Sequence, residues 1–173
     1  PRRTAVGALD RRWQAGPPVT QEQESRWLKA GLIRPEETRF LPKDAAHPDR
    51  RVLLHRGSVC WNDYRQRWIL IGNVISMEKD SPSMLGEVWY AESESPQGPF
   101  MQAVRIVTHD KQSFYNPRQH PFFNEQGGRV IYFEGTYCNT FTNAPATPRY
   151  NYNQITYRLD LDHSALQPAP EMK

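Results

Sequence analysis

Residues 113–137 read SFYNPRQHPFFNEQGGRVIYFEGTY. A polar and aromatic cluster leads into a Gly-Gly turn, and the turn leads into Arg-Val-Ile-Tyr-Phe, a β-branched and aromatic run that reads as a strand. Adjacent glycines supply the positive φ angles of a tight hairpin, so Gly127-Gly128 predicts a turn between Asn124 and Arg129. A hairpin closed there brings Asn116 and His120 back toward Glu134. The spacing predicts strands over Gln119–Asn124 and Arg129–Glu134, with Glu125–Gly128 between them.

The same grammar extends outward in both directions. Val52–Leu54, Ser58–Asn62, Arg67–Ile71, Glu87–Ser93, Met101–Thr108 and Gln154–Leu161 are short runs rich in Val, Ile, Trp, Tyr and Phe, each bounded by turn residues. An offset of 62 residues lays Arg67-Trp68-Ile69-Leu70-Ile71 on Arg129-Val130-Ile131-Tyr132-Phe133, Trp61-Asn62 on Phe123-Asn124, and Arg56 on Arg118. With a small gap, Val88-Trp89-Tyr90 falls on Ile155-Thr156-Tyr157. Repeated antiparallel strand sets of this kind are how propeller blades look in sequence. Residues 1–50 differ. They form an arm whose one helix, Thr20–Ala30, is signalled by Thr20 and Gln23 in capping-box spacing and by Gly31 as a stop; Trp27 and Leu28 are its expected anchors. Three prolines, Pro35, Pro42 and Pro48, make the rest of the arm irregular.

Composition narrows the class. The chain has 173 residues, 38% hydrophobic and 24% charged, enough for a packed core in one domain. No run approaches the roughly 20 apolar residues of a membrane helix. The net charge of +3 is uneven: residues 1–56 carry +5 and residues 57–173 carry −2, so the strand-rich part gives no basic footprint for nucleic acid. Two cysteines, Cys60 and Cys138, provide neither a disulfide framework nor a metal motif, and Cys60 in a strand-like run reads as a core thiol. His55, His109, His120 and His163 lack metal-ligand spacing, and no GxSxG elbow occurs, so no metal and no cofactor is expected. The chain opens PRRTAVGALD, without Met or an apolar leader, which leaves a secreted or periplasmic location open.

The phrase GEVWYAESESPQGPF, ending at Phe100, resembles the strand-then-Ser-Pro-x-Gly-Pro-Phe phrase of five-bladed propeller glycoside hydrolases such as arabinanases and β-xylosidases. In it Ser95–Pro99 makes an outer turn. The longer runs RGSVCWNDYRQRWILIGN, FYNPRQHPFFNEQGGRVIYFEGTY and TPRYNYNQITYRLDLD resemble uncharacterised bacterial propeller proteins related to those hydrolases. The resemblance implies an all-β fold, about two four-stranded blades of a five-bladed propeller over residues 51–173, and a glycan or small saccharide as ligand. A full propeller of that type takes roughly 250–300 residues, so the remaining blades are expected outside this chain.

On that topology the start of each inner strand, the end of the second and the start of the third share one rim. It collects His55, Arg56, Tyr115, Asn116, Arg118, Gln119, His120, Glu87, Glu134, Arg149, Tyr150, Tyr152 and Asn153; the candidate substrate-binding residues are Arg56, Tyr115, Asn116, Arg118, His120, Arg149 and Asn153, with Tyr137. By alternation Tyr132 and Tyr157 are expected in the core, and Asp63 and Glu125 on the inert side. Aromatics stack on sugar rings and forked polar groups take paired hydroxyls; residues 113–157 hold 11 of the 20 aromatics. Glycoside hydrolysis needs two carboxyls about 5–9.5 Å apart, and Glu134 and Glu87 are the candidate catalytic pair. The alternatives are a non-catalytic glycan-binding propeller and a protein-interaction scaffold.

Overall fold

A computed structural model of the chain describes residues 1–10, 12, 15–75 and 83–167. Strands dominate it. Within the arm, helix α1 (Gln21–Lys29) starts where the Thr20 hydroxyl accepts from the Gln23 amide at 3.2 Å. Trp27 and Leu28 are half-buried, and the residue the helix buries is Glu24. Its carboxylate accepts from the backbone amides of Arg39 and Phe40 and pairs with the Arg39 guanidinium, so a buried charge is fully engaged. The Gln21 amide donates to the Leu54 carbonyl and ties the helix to the strands.

The first sheet contains β1 (Lys43–Asp44), β2 (Leu54–Asn62), β3 (Arg67–Val74), β4 (Glu87–Ser93) and β5 (Gln102–Thr108), in the order β1-β5-β4-β3-β2. Strands β2 to β5 form an antiparallel meander, and β1, from the arm, joins β5 in parallel. The second sheet is the meander β6 (Ser113–Gln119), β7 (Val130–Cys138) and β8 (Asn153–Asp160).

The two sheets stack through one core. Ile69, Ile71, Val88 and Tyr90 of the first sheet meet Phe114, Ile131 and Phe133 of the second, joined by Leu161 and Leu166 from beyond it. Side chains alternate across a strand, so Leu70, Trp89 and Ala91 point the other way. There they join Val52, Leu54, Phe100 and Ala103 in a second core that the connecting segments cover. Both faces of the central strands β3 and β4 are therefore buried.

The turn at Gly127-Gly128 forms, as a short 3-10 turn over Gln126–Gly128 with φ +67° and +95° at the two glycines, and Glu125 bridges Val130 across it. The strand before it does not. Expected to begin at Gln119, it ends there, and Pro121–Phe123 is a short 3-10 turn. Pro121 removes a ladder donor and fixes φ, which outweighs the strand preference of Phe122-Phe123. Asn116-Pro117 sits inside β6 as a bulge, with Asn116 at φ +55° and the register shifting between Tyr115 and Arg118.

The repeat is also displaced by one residue. At an offset of 62, Ile69 and Ile71 match Ile131 and Phe133, but those residues face each other across a single core. Matching Gly72, opposite Trp89, with Gly135, opposite Ile155, gives an offset of 63. Leu70 and Trp89 then correspond to Phe133 and Ile155, each on the side facing back along the chain. A slip of one residue exchanges the faces of a strand. Tyr132, expected in the core by alternation, is half-exposed on the outer face, while Tyr157 does pack into the core.

Candidate functional site

The outer face of the second sheet carries the even-numbered residues of β7 and β8. Tyr132, Glu134 and Thr136 of β7 stand beside Gln154, Thr156 and Arg158 of β8, and the Gln154 amide donates to the Thr136 hydroxyl at 3.0 Å. Tyr115, opposite Thr136, belongs to the same face.

Aromatic rings close both ends of this polar floor. At one end Tyr115 makes edge contacts with Phe141 and Tyr152, each with centroids 6.4 Å apart. The Tyr115 hydroxyl donates to that of Tyr152 at 2.8 Å, and this bond, with a smaller effect of burial, pushes its pKa up to about 12. At the other end His120 contacts Phe122 and Phe123, and Phe123 contacts Tyr132. Phe122, Phe123, Phe141 and Tyr152 are all more than half exposed, so each end of the floor shows apolar ring surface to solvent. From Tyr132 to Thr136 the floor runs about 13 Å, at ~3.3 Å of rise per residue.

His120 and Glu134, expected together, are together. Nε2 lies 3.1 Å from Oε1, but it is off the line of a hydrogen bond and the atom has no bonded partner. The contact is thus a close electrostatic approach that leaves Glu134 with acceptor capacity. Glu134 meets His120 here, with Arg118 its cross-strand neighbour in β6.

Glu87 is elsewhere. It is 4% exposed, accepts from Trp89 Nε1 at 3.1 Å, and pairs with Arg105 at 2.8 Å. Trp89 belongs to the core on the far side of the first sheet, so Glu87 and Glu134 face opposite ways with both sheets between them. The two carboxyls expected as a catalytic pair are not brought together.

The other candidates divide. Asn116 and Arg118 are exposed on β6, and Asn153 opens β8, its amide donating to the Arg149 carbonyl at 2.7 Å. Arg149 and Tyr150 are exposed in the loop before β8, near Tyr152. His55 and Arg56 are exposed at the start of β2, on the first sheet, where the Arg56 amide donates to Asn73; burial, then the neighbouring Arg56, lowers the His55 pKa. Gln119 is buried and bonds across to Ser58 and Ile69, a structural tie rather than a ligand contact. Tyr137 points inward, with its hydroxyl 3.1 Å from that of Thr147. Asp63 accepts from Trp61, and Glu125 from Tyr132, so the outer face engages Glu125 after all.

Phe122, Phe123 and Phe141 escaped the sequence reading. The first two were read as strand. The signal that could have placed them is His120-Pro121, which stops the ladder at Gln119, before either ring. Both cysteines are free, and burial raises the Cys60 thiol pKa. Among the described residues no group of His, Cys, Asp and Glu could hold a metal ion, and no helix is long and apolar enough to cross a membrane.

No protein-family model, curated protein or solved structure matches this chain.

Proposed function

We propose that this chain is a saccharide-binding module built from propeller-type blades, and that its ligand lies across the outer face of the second sheet. The observation that carries the reading is the pairing of aromatic rings at both ends of an open polar floor. Tyr115, Phe141 and Tyr152 offer ring faces at one end, and Phe122, Phe123 and Tyr132 at the other. Glu134, Gln154 and Thr156 between them supply acceptors and donors for hydroxyls. A second feature agrees. Among the described residues six non-glycine residues have positive φ, and four of them, Asn116, Phe141, Arg149 and Tyr152, surround the Tyr115 end. Residues held in left-handed backbone cluster where geometry serves a ligand.

The blade reading is supported by the two consecutive meanders, stacked in chain order with equivalent glycines. The further blades of a complete ring belong to the same proposal. Binding is preferred to hydrolysis because Glu87, the second carboxylate, lies behind the first sheet.

The test is calorimetric titration with arabino- and xylo-oligosaccharides, the ligands that the sequence resemblance suggests. Tyr115→Ala and Phe123→Ala should each weaken binding about three- to tenfold, the effect of losing one ring contact worth ~0.5–1.5 kcal/mol. Glu134→Gln should weaken it comparably, with no released sugar from any form of the protein. Saturable binding that ignores all three substitutions would overturn the site, and hydrolysis abolished by Glu134→Gln would replace binding by catalysis.

A further inference from the structure

A separate pocket opens at the mouth between the sheets, where β5 hands over to β6 and β7 ends. Its volume is about 310 Å³, and it is lined by His109, Asp110, Lys111, Gln112, Tyr137 and Thr147. That volume is at the small end of ligand pockets. Its walls are rigid. His109 Nδ1 is 2.8 Å from the Gly86 carbonyl, its Nε2 is 2.9 Å from the Tyr157 hydroxyl, and its ring stacks on Phe114 at 4.7 Å. The Tyr137 and Thr147 hydroxyls are bonded to each other.

Three polar groups in this wall have capacity left for a ligand: Asp110 and Lys111 are exposed, and Gln112 holds a buried free acceptor. Asp110 and Lys111 carry opposite charges, and among the described residues neither forms an ion pair or a side-chain hydrogen bond. Gln112 is only 7% exposed; its amide nitrogen donates to the Pro145 carbonyl at 3.0 Å, while its Oε1 is buried with nothing bonded to it. Buried acceptors are ordinarily satisfied, so this one calls for a donor at the pocket wall.

We infer that this pocket binds a small zwitterion of the free amino acid class. Lys111 takes the carboxylate. Asp110 and Gln112 Oε1 take the ammonium, which has three donors to give, and the Tyr137 ring lies beside it as a favourable face for a cation. A neutral sugar would leave both charges unanswered, and a simple anion would be opposed by Asp110. The pocket and the aromatic floor are on opposite sides of the second sheet, so this inference stands apart from the saccharide reading.

Titration of the isotopically labelled full chain with L-alanine, followed by amide chemical shifts, tests it. L-alanine should give saturable shifts at residues 109–112 and Thr147, with acetate and methylammonium at least tenfold weaker. Lys111→Met and Asp110→Asn, both at the surface, should each weaken binding tenfold or more, whereas Tyr115→Ala should leave it unchanged. Shifts that do not saturate below about 10 mM, a free energy near 3 kcal/mol, would overturn the inference. So would affinity for acetate equal to that for L-alanine, or L-alanine binding unchanged in Lys111→Met.

Discussion

The two sheets follow one plan and put it to opposite uses. In the first, the side facing forward along the chain is Ile69, Ile71, Val88 and Tyr90, all buried against the second sheet. The matching positions of the second sheet, one offset of 63 residues further for β7, are Tyr132, Glu134, Gln154 and Thr156, on a side that stays open. Backbone pairing is indifferent to this exchange, because ladder hydrogen bonds do not depend on which side chains stand above them. Only the apolar area at stake differs. The first forward face makes a core, and the second is free to make a site.

The sharpest way to break the comparison is to give the first face the residue of the second. Ile71→Glu should place a carboxylate where exposure is now 0%. Lost burial of about 1.5–3 kcal/mol adds to the several kcal/mol of an unpaired buried charge. Urea denaturation should show a loss of about 4 kcal/mol or more, or no folded protein. The reciprocal change, Glu134→Ile, should shift stability by no more than ~0.5 kcal/mol, as an open surface position. Equal losses in the two variants would mean that the second face is covered.

The matched glycines allow a finer cut. A Cβ on Gly135 would stand 2.4 Å from Phe114 Cε1, a ring fixed in the core, whereas one on Gly72 would stand 3.1 Å from the Arg56 carbonyl oxygen and 3.2 Å from a Leu70 methyl. Gly135→Ala should therefore cost about 1–3 kcal/mol by overpacking, measured by the same unfolding curve. Gly72→Ala should cost clearly less, since the Leu70 methyl can yield.

The smallest expected effect is one of pH. Burial holds the His109 pKa below its ordinary 6.5, more than the Gly86 bond and Asp110 restore. The unfolded chain then takes up the proton first. Stability from this group is full above about 6.5 and is lost as pH falls from there toward the folded value. His109→Gln should flatten the fall of the melting temperature over this range. His55, also held low, keeps a residual slope. A variant as pH-sensitive as the parent would remove His109 as the cause.

Much of this was legible in the sequence. Thr20 with Gln23 marked the helix, Gly127-Gly128 the hairpin, and the β-branched runs nearly every strand, because those signals are local. His120 and Glu134 were correctly joined by the same hairpin. What escaped depends on parity and on chain direction through a break. Starting that strand at Gln119, when Asn116-Pro117 is a bulge inside it, misplaced the start of β6 by six residues. The 62-residue match of Ile on Ile looks better than the 63-residue match of the two glycines, because residues that face each other across a core obey the same apolar demand. Glu87 illustrates a third limit. Nothing local shows that Trp89 and Arg105 hold it on the far side.

The amide of Gln119 has a consequence for how the molecule comes to exist. It reaches the carbonyls of Ser58 and Ile69, and its backbone nitrogen reaches the Ser58 hydroxyl, across 61 and 50 residues of chain. Loop-closure entropy must be overcome before such a stitch returns anything, and non-local pairing of this kind slows folding. A nascent chain that has emerged only as far as Thr108 holds every strand of the first sheet, yet its Ile69, Ile71, Val88 and Tyr90 still face water. Until β6 and β7 follow, that apolar face stands open to any other strand nearby.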